Sequence, residues 1–305
     1  MPATVLLVAG THGNERNAPW LLEQWQRQSA MLARPGLRVI SEIGNPDALA
    51  AGRRYIDRDL NRSFQSQLLN NPSCSDREVI RARSLLEGHG PQASDPAQVL
   101  IDLHSTTAAM GSCLVVYGER PADLALASAC QFRLGLPIYL HGFDPKQSGF
   151  MAEAWPCGVV LEVGPVPQGV LCPRICQQTQ LGVETLLDLL AEARQKALKL
   201  PASLVIHRHL GSYDLPRTQL GSPQASLHPE RLRGDWRALR PGDPLFLTGD
   251  GEVIPFQSEE KGSLHSVFSN EAAYQEKGIA LSLARRECLA VDPSWADALT
   301  ALLAR

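Results

Sequence analysis

Short apolar runs alternate with longer amphipathic segments through the first two hundred residues of this sequence. The apolar runs have the length and continuous hydrophobicity of buried β-strands, and residues 18–32 and 176–200 show helical periodicity. Strands that alternate with helices build a largely parallel sheet covered on both faces, and such sheets bind ligands at the carboxyl ends of their strands. The sequence therefore predicts an α/β fold. The main strand candidates are TVLLVAG, LRVISEIGN, VLIDLHS, GSCLVVYGE and GVVLEVGP.

The character of the sequence changes after about Leu200. The short strand candidates that follow are separated by turns rich in Pro, Gly and Asp. They are SLVIHRHLGSYDL, GDPLFLTGDG and GEVIPFQ. We therefore expect two domains, an α/β domain over residues 1–200 and a smaller β-rich domain over residues 201–305.

The composition excludes several classes of protein. Apolar residues make up 44% and charged residues 20% of the 305 residues, as in a globular protein with a sizeable core. The net charge of −3 gives no electrostatic basis for binding nucleic acid. The sequence shows neither a signal peptide nor a run of roughly 18 apolar residues that would span a membrane. The seven cysteines are scattered and odd in number, which indicates reduced thiols in a cytoplasmic protein.

Three polar residues stand where predicted strands end. His12 and Glu15 follow the first apolar run directly, and His104 ends VLIDLH. A catalytic zinc site commonly has two His and one carboxylate as protein ligands, with a fourth position open to water. We expect Gly13 to give the backbone freedom that lets His12 and Glu15 converge on one ion. From the residues alone, a metal site and ordinary structural roles for these side chains stay open alternatives.

Two further carboxylates lie within the predicted strands. Glu162 interrupts the apolar run VVLEVGP, where a carboxylate is costly unless it is hydrogen-bonded or functional. Beside a metal ion it is suited to accept a proton from water and to pass it later to a leaving amine. The alternative is a structural ion pair with a buried cation. Asp102 points to the same side of its strand as His104, and is suited to orient an imidazole or to satisfy backbone groups.

Residues 53–64 read RRYIDRDLNRSF and crowd charged side chains around a few apolar ones. One interpretation is a solvated loop. The other is anion recognition, because the planar guanidinium matches a carboxylate and keeps its charge when it is desolvated. An arginine near the metal is also suited to stabilise an oxyanion. Asp57 and Asp59 are candidates to hold the arginines in place.

Taken together, these residues resemble the aspartoacylase/succinylglutamate desuccinylase family, a branch of the zinc carboxypeptidase superfamily. The matching motifs run in order over nearly the whole chain, and those in the last quarter favour the aspartoacylase branch. They are GTHGNE (10–15), NP (45–46), RYIDRDLNRSF (54–64), DLHSTT (102–107), LEVGPVPQGVL (161–171), DWRALRPGDPLFLTGDG (235–251) and NEAAYQEKGIAL (270–281).

The resemblance implies a zinc-carboxypeptidase-like mixed sheet flanked by helices, with a β-rich C-terminal domain that narrows the entrance to the site. It implies zinc-dependent hydrolysis of a small N-acyl amino acid, namely N-acetyl-L-aspartate to acetate and L-aspartate, with one Zn²⁺ per subunit. It also allows a homo-oligomer. The implied roles are zinc binding by His12, Glu15 and His104, activation of water by Glu162, polarisation of the scissile carbonyl by Arg54, binding of a substrate carboxylate by Asn61 and Arg62, substrate contact by Tyr274 and support of the arginines by Asp59.

One departure from the family pattern concerns the substrate side chain. The family template has an arginine about ten residues before the catalytic Glu that binds a second substrate carboxylate. Here residues 149–162 contain no arginine and carry Glu153. Lys146 lies further upstream, but a lysine does not reproduce a bidentate fork. N-acylated neutral or aromatic amino acids are therefore the alternative substrates. A metal other than zinc also fits two His and one carboxylate, and the complete set of site residues disfavours a binding protein that lacks the chemistry.

Overall fold

The computed structural model describes residues 1–142, 144 and 147–304 of the chain. Lys146, the basic residue upstream of Glu162, lies outside the described residues. The strands are β1 Ala3–Ala9, β2 Leu37–Ile43, β3 Val99–Ser105, β4 Ser112–Tyr117, β5 Ile138–His141, β6 Cys157–Val163, β7 Ser203–Tyr213, β8 Ala225–Leu227, β9 Pro244–Thr248, β10 Val253–Pro255, β11 Ser263–Val267 and β12 Leu281–Ala290.

The helices pack against the faces of the central sheet. They are α1 Asn17–Arg27, α2 Pro46–Ala51, α3 Ser66–Leu69, α4 Arg77–His89, α5 Pro121–Leu134, α6 Pro173–Arg194 and α7 Ser294–Ala304. Across the described residues, none of these helices combines the length and the apolar character that a membrane span requires.

In the described part of the chain, nine strands form one mixed sheet in the order β11-β12-β7-β5-β4-β6-β3-β1-β2. The neighbours β2, β1, β3 and β6 are parallel, whereas β4 runs antiparallel to β6. All residues of β1 and β6 are buried, because helices or other segments cover both faces of the sheet. The predicted α/β fold with a mixed, helix-flanked sheet is confirmed.

The two faces of the sheet bury different partners. On one face, α1, α5, α6 and α7 pack against the strands and against one another. The opposite face is covered by α4 and by residues 150–155, with Phe268 from the C-terminal part of the chain. The described helices α1 and α5–α7 thus form a continuous layer on the first face, and the cleft described below opens on the second.

The C-terminal part of the chain is rich in β-structure, as predicted. Strands β7, β12 and β11 extend the central sheet beyond β5, and α7 returns to pack on α5 and α6. A smaller antiparallel sheet, β10-β9-β8, has its own core around Phe246 and Phe256. The central sheet therefore continues across Leu200, and a division into two domains at this point stays a prediction.

Candidate metal centre

The parallel strands β1, β3 and β6 bring the predicted metal and acid–base residues to one edge of the sheet. His12 and Glu15 lie in the loop after β1. His104 is the last residue but one of β3, and Glu162 is in β6. In the pairing of β3 with β6, His104 stands directly opposite Glu162. These side chains are at least nine-tenths buried. The order of the strands thus brings together residues that are 150 positions apart.

Gly13 is needed in the loop after β1 for a reason other than the one expected. The left-handed backbone conformation in this loop belongs to Gly10, at φ 68°. At Gly13, a Cβ atom would lie 2.0 Å from the carbonyl carbon of Ala48. Only glycine therefore lets the loop pack against α2, which holds His12 and Glu15 in place.

The carboxylate of Glu15 lies between the two histidines. Its Oε1 is 2.6 Å from His12 Nδ1, and its Oε2 is 3.3 Å from His104 Nδ1. One nitrogen or oxygen atom from each of the three residues lies within 4.8 Å of the other two. Two imidazole nitrogens and a carboxylate converge here, which is the ligand set of a catalytic zinc site.

The outer nitrogen of each imidazole is held by an aspartate. Asp59 Oδ1 is 3.0 Å from His12 Nε2, and Asp102 Oδ2 is 2.7 Å from His104 Nε2. Asp102 also accepts a hydrogen bond of 2.7 Å from Thr11 Oγ1. Carboxylates in this position fix the ring orientation of metal-binding histidines and raise their basicity. The cluster therefore fits a divalent ion bound by both Nδ1 atoms and by Glu15.

The charges in this cluster hold Glu15 ionised. Burial would raise the pKa of Glu15, but the charges of His12 and His104 hold it well below its usual value. Burial alone would lower the pKa of His104, yet Asp102 and Glu15 together raise it well above its usual value. The site thus attracts positive charge strongly, either as protons on the histidines or as a metal ion that replaces them.

Glu162 has the environment of a proton acceptor with raised basicity. Burial raises the pKa of Glu162 well above its usual value, and the nearby Glu15 and Glu271 add to this, against the opposing charges of His104 and Arg54. The side chain lines the same cleft as His12 and His104. A carboxyl group with a raised pKa next to a metal-type cluster is suited to take up a proton and release it again.

A buried carboxylate of α4 anchors the arginine-rich segment. Glu78 accepts hydrogen bonds from the backbone N–H groups of Ile56 at 2.7 Å, Asp57 at 3.0 Å and Arg58 at 3.1 Å. Asn45, which also caps α2, donates a further hydrogen bond of 2.9 Å to Glu78. The segment is therefore fixed against the body of the protein, which excludes a freely solvated loop.

Arg54 and Asp59 form an ion-pair network beside the metal-type cluster. Arg54 Nη2 donates to Asp59 Oδ2 at 3.2 Å, and its Nη1 is 3.6 Å from Glu15 Oε1. Lys277 Nζ also donates to Asp59 Oδ2 at 3.2 Å. Arg54 Nε is buried and has no hydrogen-bond partner among the described residues. Asp59 thus connects His12, Arg54 and Lys277, and Arg54 keeps a donor free at the edge of the cleft.

Asn61 and Arg62 line the cleft directly. Asn61 is positioned by Asp59 Oδ1, which accepts its backbone N–H at 2.9 Å, and its own Oδ1 accepts the N–H of Met151 at 2.8 Å. Arg62 donates to Gln147 Oε1 at 3.0 Å, and its guanidinium carbon lies 4.0 Å from the centre of the Phe150 ring. Arg62 thus lies over an aromatic ring, with its charge available to an anion.

Tyr274 reaches the cleft from the C-terminal part of the chain. Its ring centre lies 5.4 Å from that of Phe268, and burial raises the pKa of its hydroxyl. The structure thus brings His12, Glu15, Arg54, Asn61, Arg62, His104, Glu162 and Tyr274 to one cleft of about 620 Å³, including its open mouth. Asp59 does not line the cleft but contacts His12 and Arg54, which do.

Aromatic residues that the sequence analysis did not identify form a further part of the wall. Tyr117 at the end of β4, Tyr139 and His141 in β5, and Phe150 and Phe268 all line the cleft. The rings of Tyr117 and Phe150 are 4.3 Å apart. Tyr117 lies at the end of a predicted strand, the signal that identified His104, whereas β5 was not predicted and Phe150 and Phe268 lie outside the strands. Phe150 lies in the stretch without arginine, so an apolar ring forms this part of the wall.

Glu271 is a further residue that sequence reasoning missed. Its Oε2 accepts hydrogen bonds from the backbone N–H groups of Thr107 at 2.8 Å and Ala108 at 3.1 Å, and from the hydroxyls of Thr106 and Thr107. This buried carboxylate ties the segment that carries Tyr274 to the loop after β3. The sequence NEAAY gave a signal only for Tyr274.

Comparison with known families matches both parts of the chain. Residues 2–190 match the Succinylglutamate desuccinylase/Aspartoacylase catalytic domain. Residues 202–286 match the AstE/AspA barrel-sandwich hybrid domain.

Individual relatives extend over almost the whole chain. A "Probable aspartoacylase" of Prochlorococcus marinus (strain MIT 9313) is 55% identical over 98% of both chains, and one of Parasynechococcus marenigrum (strain WH8102) is 54% identical over the same shares. The crystal structure of murine aminoacylase 3 superimposes with a TM-score of 0.86 at 34% identity, and the match covers 95% of this chain and 98% of that one. With its motifs, fold and relatives in agreement, the chain belongs to the succinylglutamate desuccinylase/aspartoacylase family.

Proposed function

We propose that this protein is a zinc-dependent hydrolase that cleaves the amide bond of N-acyl amino acids. The observation that carries the proposal is the position of Glu162 directly opposite His104 in the paired strands, at the cluster of His12, Glu15 and His104. A metal ligand set and a carboxyl group of raised pKa thus share one cleft. Membership of the family and the resemblance to an aminoacylase support the same activity.

His12, Glu15 and His104 would hold one Zn²⁺. When bound, the ion supplies Lewis acidity, which lowers the pKa of water and polarises a carbonyl group. Glu162 accepts the proton of the attacking water and later delivers it to the nitrogen of the leaving amino acid. Arg54 donates a hydrogen bond to the acyl carbonyl oxygen as negative charge develops on it. Asp59 keeps Arg54 and His12 in position for these roles.

The α-carboxylate of the amino acid is assigned to Asn61 and Arg62. Both line the cleft, and Arg62 is oriented by Gln147 and by the ring of Phe150. A guanidinium fork positioned in this way is suited to bind a carboxylate through two parallel hydrogen bonds. Tyr274 lines the cleft from the C-terminal part of the chain and narrows it, which favours a small acylated amino acid over a long peptide.

Two classes of substrate side chain fit the proposal. N-acetyl-L-aspartate is the first candidate, because the curated relatives are named as aspartoacylases. The second candidate is an N-acyl neutral or aromatic amino acid. The wall formed by Tyr117, Tyr139, Phe150 and Phe268 favours it, because aromatic rings stack well on apolar side chains and leave a second carboxylate without a partner there.

Replacement of Glu162 tests the mechanism. Glu162→Gln keeps the shape of the side chain but removes the proton acceptor, so we expect zinc binding to persist and kcat to fall by at least about 10³-fold. The matched control is Glu23→Gln, which changes an exposed glutamate on α1. Retention of a substantial part of the wild-type kcat by Glu162→Gln, with zinc bound, would contradict the mechanism.

A further inference from the structure

A second group of side chains that can ligate a metal ion lies next to the cleft, apart from His12, Glu15 and His104. It consists of His141 at the end of β5, Asp144 just after it, and His209 in β7. One ligand atom from each residue lies within 4.8 Å of the other two. The imidazole rings of His141 and His209 are stacked, with centres 4.6 Å apart. Both histidines are more than nine-tenths buried.

The hydrogen bonds of these histidines engage both nitrogens of His209 and leave one nitrogen of His141 without a partner among the described residues. His209 Nδ1 shares a hydrogen bond of 2.6 Å with the Tyr139 hydroxyl, and His209 Nε2 is 3.2 Å from Asp144 Oδ2. His141 hydrogen-bonds with the backbone of Gly142, and its buried Nε2 has no partner among the described residues. A buried imidazole nitrogen without a partner is unusual, since such atoms are nearly always hydrogen-bonded.

We propose that His141, Asp144 and His209 bind a second divalent transition-metal ion, of the Zn²⁺, Co²⁺ or Ni²⁺ class, in the wall of the cleft. Two imidazole nitrogens and one carboxylate oxygen are the ligands that these ions prefer. With an ion bound at His209 Nε2, the Nδ1–H of His209 would be donated to the Tyr139 hydroxyl, 2.6 Å away, which would hold the ring in the binding tautomer. His141 lines the cleft, so the bound ion lies beside the space that a ligand in the cleft occupies.

The spacing of the three ligand atoms is close to that around a bound ion. Ligand atoms around a tetrahedral ion of this class are about 3.4 Å apart. Binding thus requires the most distant pair to close by at most about 1.4 Å. It also requires the stacked imidazole rings, whose planes are 14° apart, to rotate until both lone pairs point at the ion.

Equilibrium dialysis of the full chain against Co²⁺ tests the site. The cobalt and protein concentrations are both measured, which gives the number of ions bound per chain. We expect two ions per chain in the wild-type protein and one in His209→Ala and in Asp144→Asn, with at least a tenfold loss of affinity for the second ion. Asp144→Asn keeps the volume of the side chain, so it tests ligation without opening the core. His207→Ala is the control, because His207 is a buried histidine of the same strand that contacts Trp236 and His265 instead.

The His12→Ala variant separates the two sites. We expect it to keep one ion, whose visible Co²⁺ absorption disappears when Asp144→Asn is added. A single ion in the wild-type protein that His12→Ala removes would overturn the second site, as would two ions that persist in both His209→Ala and Asp144→Asn. A single ion that persists in His12→Ala but is lost in Asp144→Asn would support the second site and contradict the metal binding proposed for the first.

Discussion

The replacement Asp59→Asn tests how strongly the metal-type cluster depends on a residue that is not a ligand. Asp59 Oδ1 accepts hydrogen bonds from His12 Nε2 and from the N–H of Asn61, and Oδ2 accepts from Arg54 and Lys277. An asparagine has only one side-chain oxygen, so it can accept from only one of these two pairs of donors. Its NH₂ group then faces donors, and the cations Arg54 and Lys277 lose their shared counterion.

The size of the effect follows from these contacts. Loss of a carboxylate that orients a metal-binding histidine typically weakens metal binding by 10- to 100-fold, or about 1.4 to 2.7 kcal/mol. We expect a rise of this size in the zinc Kd of Asp59→Asn. At saturating zinc, kcat/KM should still fall by about 10- to 100-fold, because Arg54 is no longer held against the acyl carbonyl group.

Zinc competition with a fluorescent chelator measures the Kd, and hydrolysis at saturating zinc measures the second effect. Asp57→Asn is the matched control, since Asp57 is an exposed aspartate of the same segment that accepts the N–H of Arg77 at 2.9 Å. Wild-type zinc affinity and kcat/KM in Asp59→Asn would refute the role assigned to this carboxylate.

Three further replacements have defined outcomes. Phe150→Arg should raise kcat/KM for N-acetyl-aspartate relative to an N-acetyl aromatic amino acid by at least about tenfold, because a guanidinium replaces an apolar ring in the wall; an unchanged ratio would remove Phe150 from specificity. Glu271→Gln should lower the free energy of unfolding in urea by about 2–4 kcal/mol, since Glu271 accepts several buried hydrogen bonds; a smaller loss would make it a minor contact. Burial raises the pKa of Asp235 to about 6. The protonated carboxyl group therefore stabilises the fold fully below about pH 4, and this contribution of about 3 kcal/mol to the free energy of unfolding is lost as the pH rises through 6. Asp235→Asn should recover up to that amount at pH 7 and flatten the dependence of stability on pH between 4 and 6, and a parallel dependence in the variant would count against this explanation.

The fold was predictable where the local pattern determines the structure. Strands β1, β3 and β6 are continuous apolar runs, and the parallel arrangement of such strands places His12, His104 and Glu162 at one edge. Strands β11 and β12 were not among the predicted strands. Their pairing in the central sheet depends on contacts between distant residues and not on the local pattern. The short strand β5 has only four residues, which is too few for a clear periodicity.

Some side chains of the site were likewise predictable from the local sequence, and others were not. His12, Glu15, His104 and Glu162 carried chemical signals at predicted strand ends. Phe150 and His141 reach the cleft only through tertiary packing, and apolar or aromatic residues carry no local mark of such a role. Gly13 was singled out correctly as a special position, but the close approach of α2, and not a left-handed backbone, requires it.

The most direct test of the proposed activity is the rate of hydrolysis of N-acetyl-L-aspartate beside N-acetylated neutral and aromatic amino acids. The rates are measured on the zinc-loaded protein, after removal of metal with a chelator, and after zinc is restored. We predict that the chelator abolishes cleavage and that zinc restores it, with the fastest substrate identifying the side chain that the cleft accepts. Cleavage that continues unchanged without metal, or no cleavage of any N-acyl amino acid by the zinc-loaded protein, would contradict the proposed function.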